Sequence, residues 1–205
     1  DQVWIVADKR FRGQIREEAS GLTEDCPGGF AEPGESRQLS IRNGLEAILE
    51  ASGEKEGLFP PRSEGIKAPR DTVFIHDAAR PLLSQGLIES CYAALEGHDG
   101  VLPVLPMKDT VYFSRNGQKV DQLLNRQNIY AGQAPELFVL RKYHDAVMAL
   151  TENELVQING STEIAIKAGM DIVMIPGEER NFKLTTPSDL ERFREIIRQG
   201  NEEYQ

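Results

Sequence analysis

The stretch Thr72-Val73-Phe74-Ile75-His76-Asp77-Ala78-Ala79-Arg80-Pro81 decides the fold. Its first four residues are β-branched or aromatic and read as a short buried strand. Pro81 stops it. An Asp and an Arg three residues apart therefore stand where a strand ends. In an open α/β sheet, ligands bind at the carboxyl ends of strands. An Asp there suits a metal that carries phosphates, and an Arg forks onto a phosphate or positions a carboxylate. The same two residues also suit a plain ion pair that shapes a turn. The stretch alone leaves both readings open.

Outward from this point, strand and helix patterns alternate. Residues 3–7 are an apolar strand and 11–19 a helix. A second helix over 40–51 places Ile41, Leu45, Ile48 and Leu49 on one face. Residues 52–70 hold Gly, Pro and charge and read as a surface loop. A helix over 87–95 ends near Gly97, and a strand over 100–104 is expected to be interrupted by Pro103. Helices over 140–150 and 162–168, a strand over 171–175 and a closing helix over 188–198 follow. This alternation predicts an α/β fold with a mostly parallel sheet and helices on both faces. The 205 residues suit one domain with a sizeable core.

One segment breaks the alternation. Residues 110–114 and 119–123 flank Arg115-Asn116-Gly117-Gln118, and Asn-Gly between two such runs signals a hairpin. It either lies on its own domain or reaches toward a second subunit.

Composition narrows the function. A net charge of −10 argues against a nucleic-acid partner, because phosphate backbones demand a basic surface. A local basic pocket remains compatible with small anionic substrates. No apolar run approaches the ~20 residues of a membrane span, and no signal peptide opens the chain. Cys26 and Cys91 are isolated, lack metal-ligand spacing and read as free thiols in a reducing cytoplasm.

Four constellations carry chemistry. Gly34-Glu35-Ser36-Arg37-Gln38-Leu39-Ser40 is a glycine turn entering a helix with Ser40 as candidate N-cap. Its backbone groups suit the polar edge of a base, although a plain capped helix is the commoner meaning. Asp77 with Arg80 is the second. The third is Asp109-Thr110 with Arg126 and Gln133, spread across the hairpin, where Arg126 either clamps an anion or is a solvated charge. The fourth runs from Asn181 to Leu190. There Lys183 and Thr185 alternate on one strand face toward a single phosphate, while Ser188 and Asp189 read as helix-start residues after Pro187.

Together these residues resemble the cytidylyltransferases that act on polyol phosphates, whose two branches use 2-C-methyl-D-erythritol 4-phosphate and ribitol 5-phosphate. The resemblance covers nearly the whole chain. It is strongest at residues 76–81, at Asp109-Thr110, from Arg126 through Gln133-Ala134-Pro135-Glu136, and at residues 181–190. It implies a Rossmann-like single domain over 1–205 with a dimerising β-arm at about 110–125. It also implies a cytoplasmic homodimer acting in isoprenoid or cell-wall polyol synthesis. Gly34, Glu35 and Ser40 would contact the cytosine, and Ala78 would lie along CTP. Asp77 would hold Mg2+ near the acceptor. Arg80, Thr110 and Arg126 would hold the acceptor phosphate, some of them across the dimer. Lys183 would contact phosphate oxygens in the transition state, supported by Thr185. The implied reaction is in-line attack of the acceptor phosphate on the α-phosphorus of CTP, releasing pyrophosphate.

The departures are specific. The family's first strand and its glycine-rich loop bearing Arg and Lys precede the point where this sequence starts, so a longer protein is expected. Tyr112 stands where the methylerythritol branch has Lys, and Gln133-Ala134-Pro135-Glu136 replaces Gln-Thr-Pro-Gln. Tyr130-Ala131-Gly132-Gln133 is closer to the ribitol branch. Ser161 and Thr162, after Gly160, stand near the family's Thr-Asp segment. They suit either an acceptor phosphate at a helix start or simple capping. Alternatives are a cytidylyltransferase for another small phosphate or phosphonate, or a non-catalytic nucleotide-binding protein. No Gly-x-Gly-x-x-Gly follows a strand, which counts against a nicotinamide oxidoreductase.

Overall fold

The computed structural model describes residues 2–19, 28–51 and 71–202. The expected loop over 52–70 lies outside the described residues, as does Cys26. The chain divides into two compact units that interleave along the sequence. One comprises the described parts of Asp1–Thr72 with Val139–Gly169, the other those of Val73–Phe138 with Met170–Gln205.

The first unit is built on a strand–helix–strand crossover. Strands β1 (Trp4–Val6) and β2 (Gly29–Ala31) pair in parallel, Ile5 opposite Phe30, with helix α1 (Lys9–Ala19) between them in sequence. Helix α2 (Arg37–Ala51) packs on both strands and on α4 (Leu140–Met148) and α5 (Glu152–Gln157), and α4 packs on α6 (Ser161–Lys167). Leu45, Tyr143, Val147, Leu155, Ile164 and Ala165 fill its core. Each large apolar side chain so buried contributes about 1.5–3 kcal/mol. The fully buried Tyr143 keeps its hydroxyl satisfied by donating to the Ser161 carbonyl at 3.2 Å.

The second unit carries a five-stranded sheet. Its strands are β3 (Thr72–Ile75), β4 (Gly100–Pro106), β7 (Tyr130–Gly132), β8 (Glu136–Val139) and β9 (Ile172–Pro176), in the order β3-β8-β4-β7 with β9 also on β4. β4 is the hub, parallel to β9 and antiparallel to β8 at its start and β7 at its end. A strand with neighbours on both edges reads as a continuous apolar run, which is how Val101 to Leu105 reads. The α/β expectation holds, with β7 and β8 as antiparallel members that the alternation did not show.

Pro103 does not interrupt β4, contrary to expectation. It lies between the segments paired with β8 and with β7, where those ladders leave its missing N–H unused. Its carbonyl accepts the Gln133 N–H at 2.8 Å. Helix α3 (Gln85–Ala94), capped by Ser84, packs on β4 and β9. Cys91, Val101 and Leu137 form the core there.

The hairpin pairs β5 (Val111–Phe113) with β6 (Gln122–Leu124), Tyr112 opposite Leu123. The loop spans residues 114–121 and is longer than the tight turn expected at 115–118. Asn116 Oδ1 accepts from the Gln118 and Lys119 amides, Gly117 takes φ +70°, and the Asp121 carboxylate accepts the Arg115 N–H. These local bonds compete with the ladder and shorten the strands.

Candidate active site

The loop after β3 and the segment before α7 (Pro187–Glu202) meet in the second unit. Lys183 Nζ lies 3.1 Å from Asp77 Oδ2, and Arg80 Nε lies 3.9 Å from the same oxygen. The Asp77 and Arg80 side chains are 16% and 13% exposed and that of Lys183 is 42% exposed. The Arg80 N–H closes a turn on the Asp77 carbonyl at 2.8 Å, and the Leu184 N–H donates to the Ala79 carbonyl at 2.8 Å. His76 Nε2 donates to the Arg80 carbonyl at 2.9 Å. The turn-shaping Asp–Arg contact is therefore real, but Asp77 lies closer to Lys183. Two cations around one carboxylate at a strand's carboxyl end leave net positive charge, which suits phosphate oxygens. Ala78 is exposed on the same loop. Among the described residues, no group of three or more His, Cys, Asp or Glu is placed to hold a metal on its own.

Arg80 is oriented by a backbone group that carries no sequence signal. Its Nη1 donates to the Asn181 carbonyl at 2.7 Å. Sequence patterns report side chains, so this clamp was not legible. Asn181 itself is fully buried, its Nδ2 donating to the Ala134 carbonyl at 2.7 Å.

Lys183 and Thr185 do not alternate on a strand as expected, because residues 182–185 are irregular and Thr185 is bonded to the start of α7. Asp189 Oδ2 accepts the backbone N–H and hydroxyl of Thr185 at 3.0 Å each, and those of Thr186 at 2.8 and 2.9 Å. The Thr186 hydroxyl accepts the Asp189 N–H at 3.2 Å. This is a reciprocal cap with Pro187 at the first helical position. The Thr185 amide and the other three donors pull the Asp189 carboxyl down to about 2. Ser188 and Asp189 are helix-start residues as expected, with Pro187 already inside the helix and Thr186 as the cap.

Thr110 and Arg126 are brought together. With Leu123, Leu124 and Asn125 they line one open groove beside the hairpin. Arg126 Nη1 donates to the Lys108 carbonyl at 2.7 Å, which holds the guanidinium at the groove. The Lys108 ammonium pairs with Glu179 and keeps that carboxyl below its ordinary value. Gln133 does not join this group. It is buried and bonded to the backbone of Glu178 and Asn181 instead.

In the first unit, Gly34 and Glu35 form the turn ahead of α2, and Ser40 lies within the helix. The Gly34 N–H donates to Ser40 Oγ at 3.0 Å, and the Ser40 hydroxyl donates to the Ser36 carbonyl at 2.9 Å. A Cβ on Gly34 would lie 2.4 Å from Leu39 Cβ, so the close approach requires glycine. Ser36 caps α2, its Oγ accepting the Leu39 N–H at 3.2 Å; Ser40 stands a turn further in. Glu35 is exposed beside it.

Of the two readings of Ser161 and Thr162, an acceptor phosphate or simple capping, neither describes Ser161, and the N-cap of α6 is Gly160 with no side-chain cap bond. Ser161 is fully buried, and its hydroxyl accepts Arg37 Nη1 at 2.6 Å. Thr162 shares the first turn of α6 with Glu163, whose carboxylate accepts the Asn159 N–H at 3.1 Å. A carboxylate there repels a phosphate.

Among the described residues, no helix is long and apolar enough to cross a membrane. A family model for IspD, 2-C-methyl-D-erythritol 4-phosphate cytidylyltransferase, matches residues 63–199. The 2-C-methyl-D-erythritol 4-phosphate cytidylyltransferase of Rubrobacter xylanophilus is 35% identical over 194 residues, covering 93% of this chain and 73% of its own length. The bifunctional IspD/IspF enzyme of Maricaulis maris is 34% identical, covering 94% of this chain and 44% of its own. A crystal structure of 4-diphosphocytidyl-2C-methyl-D-erythritol synthase superposes with a TM-score of 0.72 at 25% identity, over 96% of this chain and 82% of that one. The Francisella tularensis cytidylyltransferase has the same fold, with a TM-score of 0.70 at 22% identity over 95% of this chain and 79% of its own. With the model matched over most of the sequence and the strand-end cluster in place, the chain belongs to the 2-C-methyl-D-erythritol 4-phosphate cytidylyltransferase family of CTP-dependent nucleotidyltransferases.

Proposed function

We propose that this chain transfers CMP from CTP to 2-C-methyl-D-erythritol 4-phosphate, releasing pyrophosphate. The observation that carries the reading is the Asp77–Lys183 pair with Arg80 beside it, at the carboxyl end of β3. An oxygen of the acceptor phosphate attacks the α-phosphorus of CTP. The new P–O bond forms as the bond to the bridging oxygen breaks, and that electron pair leaves on pyrophosphate. Such a reaction needs alignment and charge neutralisation more than covalent chemistry. Lys183 exchanges its Asp77 partner for the charge that grows on the α-phosphoryl oxygens. Arg80, Thr110 and Arg126 hold the acceptor phosphate, Gly34, Glu35 and Ser40 meet the cytosine, and the backbone at Ala78 lies along CTP.

A Mg2+ ion fits this donor set. One carboxylate, Asp77, is what such an ion takes from protein when substrate phosphates supply the rest. Bound there, it would neutralise phosphate charge. The enzyme works as a cytoplasmic homodimer in this reading. The exposed apolar hairpin supports the dimer, and the free, buried Cys91 is compatible with a reducing compartment.

The test is pyrophosphate release by the full-length protein with CTP, Mg2+ and, in turn, 2-C-methyl-D-erythritol 4-phosphate and ribitol 5-phosphate. The methylerythritol product is expected to dominate by mass spectrometry. Ribitol preference would move the acceptor, and no pyrophosphate with either would sink the reading.

A further inference from the structure

We infer that Gln133 is a positioning residue for Lys183 and Arg80, an inference that rests on the transfer reaction proposed above. Its buried amide stands at the junction of β7 and β8 and makes to Glu178 the two bonds that a neighbouring strand would make. Nε2 donates to the Glu178 carbonyl at 2.9 Å, and Oε1 accepts the Glu178 N–H at 3.0 Å. Nε2 also reaches the Asn181 carbonyl at 3.3 Å. Residues 178 and 181 are the two ends of one turn, closed by the Asn181 N–H on the Glu178 carbonyl at 3.0 Å. One side chain thus grips both ends.

The grip continues into the cluster. The Asn181 carbonyl that Gln133 touches is the one that holds Arg80 Nη1. Lys183 follows two residues later, and the Leu184 N–H is pinned to Ala79. The backbone of Lys183 is therefore fixed from behind by Gln133 and from the front by the loop after β3. Glycine at 177 makes room, since a Cβ there would lie 2.3 Å from Gln133 Oε1. Chemistry selects the residue type. The turn offers one N–H and two carbonyls, so its partner must present both a donor and an acceptor without charge. An apolar side chain of equal volume would take from the Glu178 N–H its Gln133 acceptor and strip one of two donors from each carbonyl.

Gln133→Met removes the bonds and keeps the volume. Turnover is expected to fall about 10- to 100-fold, the scale of a misplaced catalytic group, with the KM for CTP little changed. Amide hydrogen exchange at Asn181 and Leu184 is expected to quicken. In a Lys183→Ala background the loss should shrink, because the two residues act through one step. Gln133→Glu adds a readout that mere loss of packing would not give. Its protonated acid still donates to a carbonyl, whereas the ionised form faces two carbonyl oxygens. Turnover relative to wild type should therefore fall as pH rises through the new carboxyl. Unchanged turnover and exchange in Gln133→Met, or a pH-flat ratio in Gln133→Glu, would overturn the inference. An inactive wild type with faster exchange in Gln133→Met would instead sink the transfer reaction and support the tether.

Discussion

Lys183 Nζ and Asp77 Oδ2, 106 positions apart in sequence (183 minus 77), lie 3.1 Å from one another. The pair joins the loop after β3 to the segment before α7. Lys183 is 42% exposed, so the ion pair itself is worth no more than about 1 kcal/mol of stability. Removing a donor aimed at transition-state charge costs far more in rate, about 100-fold or above. Lys183→Ala is therefore expected to cut turnover by ~100-fold while the melting temperature moves little. Steady-state kinetics beside a thermal scan separates the two. A nearly unchanged rate would make Lys183 a surface lysine.

The Asp189 cap predicts an acid-sensitive helix α7. Its carboxyl is drawn from an ordinary 3.8 to about 2 by the Thr185 and Thr186 donors. A folded value below the unfolded one stabilises the fold fully above pH 4, and the contribution is lost as pH falls toward 2. Asp189→Asn should melt lower than wild type at pH 6, with the gap closing between pH 4 and 2. A gap that widens on acidification would contradict the cap.

How far this was legible depended on where the information lies. The β3 strand, the hairpin and the helices other than α5 announced themselves by apolar spacing and turn residues. β7 and β8 did not, because Tyr130-Ala131-Gly132 is too short to show a period and Glu136-Leu137-Phe138-Val139 is buried on both faces. Asp77, Arg80 and Lys183 were legible because chemistry at a strand end is carried by side chains. Gln133 and Ser161 were misplaced for the converse reason. Both are polar residues spent on the interior, Gln133 on the Glu178 backbone and Ser161 on Arg37, and burial is a tertiary fact.

Burial should also silence Cys91. It is fully buried, and loss of solvation pushes its thiol up to about 11. Little thiolate forms at pH 8, and reagent access is blocked. Native protein treated with iodoacetamide at pH 8 should show Cys91 unmodified by peptide mass spectrometry, with labelling appearing in denaturant. Rapid native labelling would mean the core around Val101 and Leu137 opens readily.

Ser161 offers a test of the corrected α6 site. If it supports Arg37 inside the first unit, Ser161→Ala should cost about 1.5–3 kcal/mol, the range for a lost bond to a charged donor. The KM for the polyol phosphate should stay put. A raised acceptor KM with unchanged stability would restore the phosphate role.

The hairpin makes the last prediction. Tyr112, Val120 and Leu123 are 58%, 66% and 61% exposed, and Phe113 stands half out of the surface beside them. A two-stranded hairpin alone is marginal in water, yet this one spends four large apolar residues on its outside. A second copy of the chain packed around the hairpin, against the Tyr112–Leu123 face and the opposite Phe113 face, would account for both facts. Sedimentation of the wild type at micromolar concentration is expected to give a dimer, and Tyr112→Lys with Leu123→Lys a monomer. Those two residues face each other across the ladder, so the paired lysines place like charges on one patch while the backbone bonds remain. A wild type that sediments as a monomer would leave the apolar face without this explanation, and a doubly substituted variant that stays dimeric would place the interface elsewhere.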